Sequence, residues 1–448
     1  MTMGNESKTA GTFLPAQSGL NGELRVPGDK SVSHRALLLG AVNSGPVVVT
    51  GFLRAADTLA TLRAVRALGV RVDEDGERLV VHGQGWEGLQ EPEDVIDVGN
   101  SGTLIRLLPG LVAGRGFLCV LTGDASIRRR PMDRVLRPLA AMGVQVAGRQ
   151  GNTLPPITVR GQALRGITYR LPVASAQVKS CLLLAGLQAE GETTLLEPSA
   201  SRDHTERLLS HAGAPVRREP CPKGEVVVQV ERAAELRLSN VQVPGDFSSA
   251  AFFVVAALLV PNSCVRLLEV GLNPTRTGLL SVLERMGAQV GVEVTDKSGP
   301  EPRGNVVAYS SELVATSIEE GEVPLLIDEL PLFLLAAARA RGTSRLRGAA
   351  ELRTKESDRL RAMSIFLRSL GVQVTEYPDG LDVVGRPEGW ESGNMKTEGD
   401  HRLAMVGAVA GAASRGGVVV DDLACIAVSY PGFLEAYESL GGTCLRGS

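Results

Sequence analysis

The sequence predicts a mixed α/β protein, six copies of one supersecondary unit arranged as two domains. Three observations carry that expectation. A helix end followed by glycine and an alternating strand recurs six times. The tetrapeptide Val-Pro-Gly-Asp occurs twice, each time ahead of a helix-like run. The length, 448 residues, exceeds what a single hydrophobic core organises.

The junctions are LRALGVRVDED at Gly69, LAAMGVQVAGR at Gly143, LSHAGAPVRRE at Gly213, LERMGAQVGVEV at Gly287, LRSLGVQVTEY at Gly371 and YESLGGTCLRG at Gly441. Glycine after the last apolar helical residue supplies the left-handed cap that ends a helix. The valine/polar alternation after it reads as a half-buried strand. Successive junction glycines lie 70 to 84 positions apart, too far for short solenoid repeats. Each unit adds a helix opening, such as residues 31–40 or 55–68, and an earlier strand, such as 45–50. Mixed elements of this kind imply sheets backed by helices. Val26-Pro27-Gly28-Asp29 and Val243-Pro244-Gly245-Asp246 divide the six junctions into three and three. The expected domains are therefore 1–28 plus 245–448, and 29–244, with the chain passing between them at both tetrapeptides.

Composition narrows the function. The chain has 47 Lys plus Arg against 50 Asp plus Glu, a net charge of −3, without the basic excess of a nucleic-acid binder. Its 44% hydrophobic and 22% charged residues are those of an ordered globular protein. The longest apolar stretch, residues 250–260, falls short of the roughly 18 needed to span a bilayer. The N-terminus, MTMGNESKTAGT, lacks the apolar core of a secretory signal, so the cytoplasm is the expected compartment. Cys119, Cys181, Cys221, Cys264, Cys425 and Cys444 form no CxxC pair and have no histidine at ligand spacing. Buried free thiols are expected, and no zinc site.

Six polar clusters could carry chemistry. Lys30, Ser31 and Arg35 open a helix, where first-turn N–H groups add positive charge suited to an oxyanion; a solvated basic turn is the alternative. Asp97 to Thr103 is a Gly-rich turn into LIRLL, where Gly102 lets amides approach an anion and Ser101 or Thr103 could simply cap. Among Arg128, Arg129 and Arg130, the last is nearest the stiff Pro131; a solvated charge run is the plainer reading. In LRTKESDR, Thr354 is the expected N-cap of a helix carrying Lys355 and Arg359 on one face, with Glu356 among the cations; a surface charge network would look the same. Gly399-Asp400-His401-Arg402 precedes an apolar helix. Asp328 and Glu329 stand inside the apolar run PLLIDELPLFLLAAA, where an unpartnered carboxylate is costly, so one of them is expected to work. The inventory fits a polyanionic substrate and acid/base chemistry without a metal.

VPGDKSVSHRALLLGA, GNSGTLIRLL, RRRPM, VASAQVKSCLLLAGL, SRDHTE, LRTKESDRL and GDHRLAM, in this order, resemble the motifs of the 5-enolpyruvylshikimate-3-phosphate synthase family over nearly the whole chain. The resemblance implies an α/β (α+β) two-domain enolpyruvyl transferase fold, each domain three βαβαββ units in an inside-out α/β barrel. It implies transfer of the enolpyruvyl group of phosphoenolpyruvate to the 5-hydroxyl of 3-phosphoshikimate, on the route to chorismate and the aromatic amino acids, without a cofactor. By motif position Lys30, Ser31, Arg35, Ser175, Ala176, Gln177, Arg202, Asp328 and Lys355 resemble the 3-phosphoshikimate ligands. Lys30, Gly102, Arg130, Gln177, Arg359 and Arg402 resemble the phosphoenolpyruvate ligands. Asp328 resembles the base for the attacking hydroxyl and Glu356 the acid/base at the methylene carbon, with Lys30 as a third proton carrier; Asn100, Thr103 and His401 support. Small-molecule substrates, no nucleic acid, no membrane and a monomer are expected. Gly102 is the small residue typical of glyphosate-sensitive members. One departure is Val428, where many members carry lysine. The sister transferase acting on UDP-N-acetylglucosamine is the nearest rival, but it lacks the KSxSxRA pattern, and Cys119 lies in a strand-like stretch.

Overall fold

The computed structural model describes residues 9–447. Residues 1–8, part of the segment behind the reading that there is no secretory signal, lie outside the described residues. No helix among the described residues is long and apolar enough to cross a membrane.

The described strands form six four-stranded sheets with one shared order. One copy shows the plan. Strand Ile96–Asp97 leads to helix Leu104–Val112, strand Leu118–Thr122, helix Asp133–Ala141, and strands Gln145–Gly148 and Leu154–Arg160. The first two strands pair parallel, the second pairs antiparallel with the fourth, and the fourth antiparallel with the third. All six junction glycines have positive φ, between 78° and 107° except Gly371 at 76°. The expected helix–glycine–strand repeat is thus the repeat of the fold.

Three sheets are completed by strands far away in sequence. Asn21–Arg25 pairs parallel with Cys264–Gly271, and Asn240–Gln242 parallel with Pro46–Thr50. Gly11–Leu14 lies between Gly417–Val420 and Thr443–Arg446. Each strand ahead of a Val-Pro-Gly-Asp segment thus stays with one group of sheets while the chain continues into the other. Two compact units result. One holds residues 9–26, 245–295 and 303–447, the other 27–244 and 296–302.

Each unit is built around three buried helices. In the first they are Phe247–Leu259, Leu330–Ala337 and His401–Ala413; in the second Lys30–Ala41, Leu104–Val112 and Ala176–Gly186. Every residue of FSSAAFFVVAALL and of LPLFLLAA is buried. A helix that is apolar around its whole circumference has to be covered on all sides. In that unit the sheets and the amphipathic helices, such as Gly278–Arg285 and Arg359–Ser369, provide that cover.

Two local expectations are corrected. The helix after LRTKESD begins at Arg359, not near Thr354. Residues Ala350–Thr354 form a 3-10 turn, and Asp358 caps the helix by accepting from Arg361 N at 3.0 Å. Two competing caps stand in this stretch, and the later one prevails because Ser357 is drawn into a hydrogen bond with Asp400. Lys355 and Arg359 therefore do not share a helix face. The cysteines are free, but Cys264 is exposed and Cys221 and Cys444 only partly buried. Cys264 opens an alternating strand on its outward register.

Candidate active site

The start of a buried helix is where a charged side chain can combine a dry, rigid base with an exposed end. In the second unit Asp29 caps Lys30–Ala41 by accepting from Val32 N at 2.9 Å. Lys30 is ion-paired with Asp57, in the first turn of helix Ala56–Ala67. Arg35, 4% exposed, donates to Ser31 O at 2.9 Å, Thr205 Oγ1 at 2.6 Å and Ser180 Oγ at 2.8 Å. Burial pulls its pKa down to about 10 against the opposing carboxylates of Glu206, Asp29 and Glu301, so it stays charged near neutral pH. Arg202 is close enough to repel it. His34, one turn into the helix, is driven by burial to about 3 and is neutral.

A second cluster joins the other two helix starts. Ser101 Oγ accepts from Leu104 N at 3.2 Å, so Ser101, not Thr103, caps that helix. Ser175 caps Ala176–Gly186. Gln177 links the two starts: its Nε2 donates to Thr103 Oγ1 at 3.1 Å and its Oε1 accepts from Arg106 at 2.8 Å. Arg130 donates to Asn100 Oδ1 at 3.0 Å. A Cβ on Gly102 would stand 2.6 Å from Arg130 Nη1 and 3.1 Å from Arg106 Nη1. Ala176 is the first residue of its helix, beside these groups.

Sequence reasoning missed two buried cations here. Arg106 donates to Gly102 O at 2.9 Å as well as to Gln177. Lys179, fully buried, meets Glu197 and Glu206 at 2.7 Å each. Burial disfavours the Lys179 charge, but Glu206 and Glu197 outweigh it and hold the pKa above the usual range. The signal that could have found both was a lone cation inside an apolar helix, in LIRLL and QVKSCLLL.

In the first unit the carboxylates gather round one arginine. Arg359, 1% exposed, bonds Asp400 through Nε at 2.7 Å and Glu356 through Nη2 at 2.5 Å. Its Nη1 makes the longer bond to Asp328, 3.4 Å. Burial opposes the Arg359 charge, yet Asp400, Glu356 and Asp328 together hold its pKa above the usual range. Asp328 sits between helices Val323–Leu326 and Leu330–Ala337, and Arg402 Nη2 approaches its Oδ2 at 3.7 Å. Asp400 caps His401–Ala413 and accepts from Arg402 N at 3.0 Å. His401 is buried as the first residue of that helix. Lys355, next to Glu356 in the chain, is paired with Glu351 at 3.3 Å. Val428 ends a 3-10 turn, Ala424–Val428, and brings no charge.

Cations thus gather at helix starts in one unit and carboxylates are ordered by arginines in the other, on six repeated sheets. The enolpyruvyl transferase NikO of Streptomyces tendae has the same fold, with a TM-score of 0.75 at 20% identity over 98% of this chain and 99% of that one. The family model described as EPSP synthase (3-phosphoshikimate 1-carboxyvinyltransferase) matches residues 14–437. A protein of that name from Desulforudis audaxviator is 50% identical over 96% of this chain and 98% of its own length. One from Pelobacter propionicus is 48% identical over 94% and 96%. The EPSP synthase of Acinetobacter baumannii superposes with a TM-score of 0.88 at 41% identity, over 98% of this chain and all of that one. The chain belongs to the EPSP synthase family.

Proposed function

We propose that this protein is a 3-phosphoshikimate 1-carboxyvinyltransferase of the shikimate pathway. The 5-hydroxyl oxygen of 3-phosphoshikimate bonds to C2 of phosphoenolpyruvate while the hydroxyl proton leaves to a base and the methylene carbon gains a proton. A tetrahedral intermediate results. The methyl carbon then returns a proton, the bond from C2 to the phosphate oxygen breaks, and phosphate departs. The observation that carries the reading is the pair of carboxylates, Asp328 and Glu356, ordered by one buried arginine in a chain that the family covers almost end to end.

In this reading Asp328 takes the hydroxyl proton and Glu356 exchanges the proton at the methylene carbon, with Lys30 assisting. Lys30, Ser31, Arg35, Ser175, Ala176, Gln177, Arg202, Asp328 and Lys355 serve 3-phosphoshikimate. Lys30, Gly102, Arg130, Gln177, Arg359 and Arg402 serve phosphoenolpyruvate, whose carboxylate and phosphate suit planar guanidinium groups. Asn100 and Thr103 support this set by holding Arg130 and Gln177, and His401 by opening the Arg402 helix. The protein acts in the cytoplasm as a monomer, which light scattering at about the chain mass of 47.2 kDa would test. Phosphate release from phosphoenolpyruvate tests the activity: it is expected with 3-phosphoshikimate and not with UDP-N-acetylglucosamine. Release with the nucleotide sugar alone would overturn the assignment.

Gly102→Ala tests the binding set. The new methyl group would press on Arg130, whose guanidinium has to shift because a 2.6 Å contact is not tolerated. The KM for phosphoenolpyruvate should rise about tenfold, some 1.4 kcal/mol, with little change in the KM for 3-phosphoshikimate. Millimolar glyphosate should inhibit the parent and inhibit this variant less.

A further inference from the structure

Five of the six buried helices begin at residues assigned above to substrate: Lys30, Gly102, Ser175, Asp328 and Arg402 each lie within two residues of a helix start. The sixth, Phe247–Leu259, is the internal duplicate of the Lys30 helix, and Ser248 occupies the place of Ser31 in the repeated Val-Pro-Gly-Asp motif. Asp246 caps it as Asp29 caps its counterpart, accepting from Ser248 N at 2.7 Å. The start of this helix is closed from within the chain. Ser248 Oγ donates to Glu329 Oε1 in a short bond. Arg276 Nη1 donates to the same oxygen at 3.0 Å, and its Nη2 to Ser248 Oγ at 2.7 Å and Asp246 Oδ1 at 3.2 Å. Glu329 is fully buried and Arg276 is 4% exposed.

We propose that the Glu329 carboxylate fills the anion position of this duplicated helix start, and that the Arg276–Glu329 clamp makes Glu329 a positioning residue for Asp328. The inference rests on the activity proposed above. Glu329 follows Asp328 directly, and its backbone carbonyl accepts from Leu332 N at 2.9 Å and Phe333 N at 3.0 Å, so it also anchors the first turn of Leu330–Ala337. Adjacent Cα atoms are held about 3.8 Å apart by the trans peptide, so a fixed Glu329 fixes where the Asp328 backbone can sit. The contacts from Arg359 and Arg402 to the Asp328 carboxylate, at 3.4 and 3.7 Å, are long by comparison. A buried ion pair contributes little stability over well-packed apolar side chains, so stability alone is a weak reason for one here. Orientation of the neighbouring carboxylate is the reason that geometry supplies.

Two variants of the full chain test the clamp. E329Q keeps the shape and removes the charge that holds Arg276. R276M/E329M removes both charges of the clamp, so neither strands the other, while Asp246 loses the Arg276 contact and keeps its cap bond to Ser248 N; this keeps the test usable should E329Q fold poorly. In both, kcat for phosphate release should fall about 10- to 100-fold, the loss expected of a reacting group misplaced by about 1 Å. KM for each substrate should stay within about threefold, and the double variant, in which Asp246 loses the Arg276 counter-charge, should melt below the parent but fold. A folded double variant with kcat within twofold of an active parent would overturn the clamp and leave the activity reading standing. A parent that releases no phosphate with 3-phosphoshikimate would overturn both.

Discussion

Asp328→Asn is expected to lower kcat about 10²- to 10⁴-fold, the range contributed by a positioned general base. Asparagine has nearly the same shape, and its carbonyl oxygen can still accept from Arg359 Nη1, now 3.4 Å from Asp328 Oδ1. What it loses is the capacity to take a proton. The change therefore separates basicity from packing better than truncation to alanine would. Asp328 is also assigned to 3-phosphoshikimate, so binding of that ligand, followed by calorimetry, should weaken, but by less than tenfold. The decisive quantity is kcat at saturating concentrations of both substrates. More than a tenth of the parent value would move the base to another group, Lys30 being the next candidate. Loss of binding with kcat intact would reduce Asp328 to a ligand contact.

The sequence made the repeat visible because its mark is local. A left-handed glycine at a helix end shows in a few residues, and Gly69 and its five counterparts all adopt positive φ. The candidate site was visible for a related reason, since polar clusters such as Lys30 to Arg35 and Gly399 to Arg402 interrupt apolar helices at their starts. What escaped depends on partners distant in the chain. Nothing near Asn21–Arg25 announces its pairing with Cys264–Gly271. Nor does anything local assign the turn 296–302 to the second unit, where Glu301 meets buried His204 at 2.8 Å. Lys179 and Arg276 look like anomalies in apolar surroundings until Glu197, Glu206 and Glu329 arrive from other elements. The start of the Arg359 helix was misjudged because Thr354 and Asp358 are equally good local caps. The choice between them is tertiary, made when Ser357 and Arg359 both bond Asp400.

Asp400 is where removing one charge should cost the most stability. Its carboxylate is fully buried, accepts from Arg359 at 2.7 and 3.2 Å and from Ser357 at 3.0 Å, and caps His401–Ala413. Asp400→Asn keeps the cap, because asparagine serves as well as aspartate there. It turns an amide toward Arg359 and leaves that guanidinium, 1% exposed, short of one buried counter-charge. Breaking a buried pair from one side costs about 3–5 kcal/mol. For a unit of this size that corresponds to a fall of roughly 10 °C in melting temperature. Burial pushes the Asp400 carboxyl up, but Arg359 more than offsets this, with Glu356 opposing and His401 assisting, and holds it below the usual aspartate range. A pKa depressed on folding adds stability above the unfolded value, near pH 4, and loses it as pH falls through the folded value. The parent should therefore lose stability below about pH 4 more steeply than Asp400→Asn. The double change R359M/D400N removes the stranded cation, so it should regain much of the melting temperature without regaining activity, because Glu356 and Asp328 would still lack the arginine that orders them. Recovery of both would make the pair a scaffold. A variant as stable as the parent at pH 7 would mean that Glu356 and Asp328 suffice to neutralise Arg359.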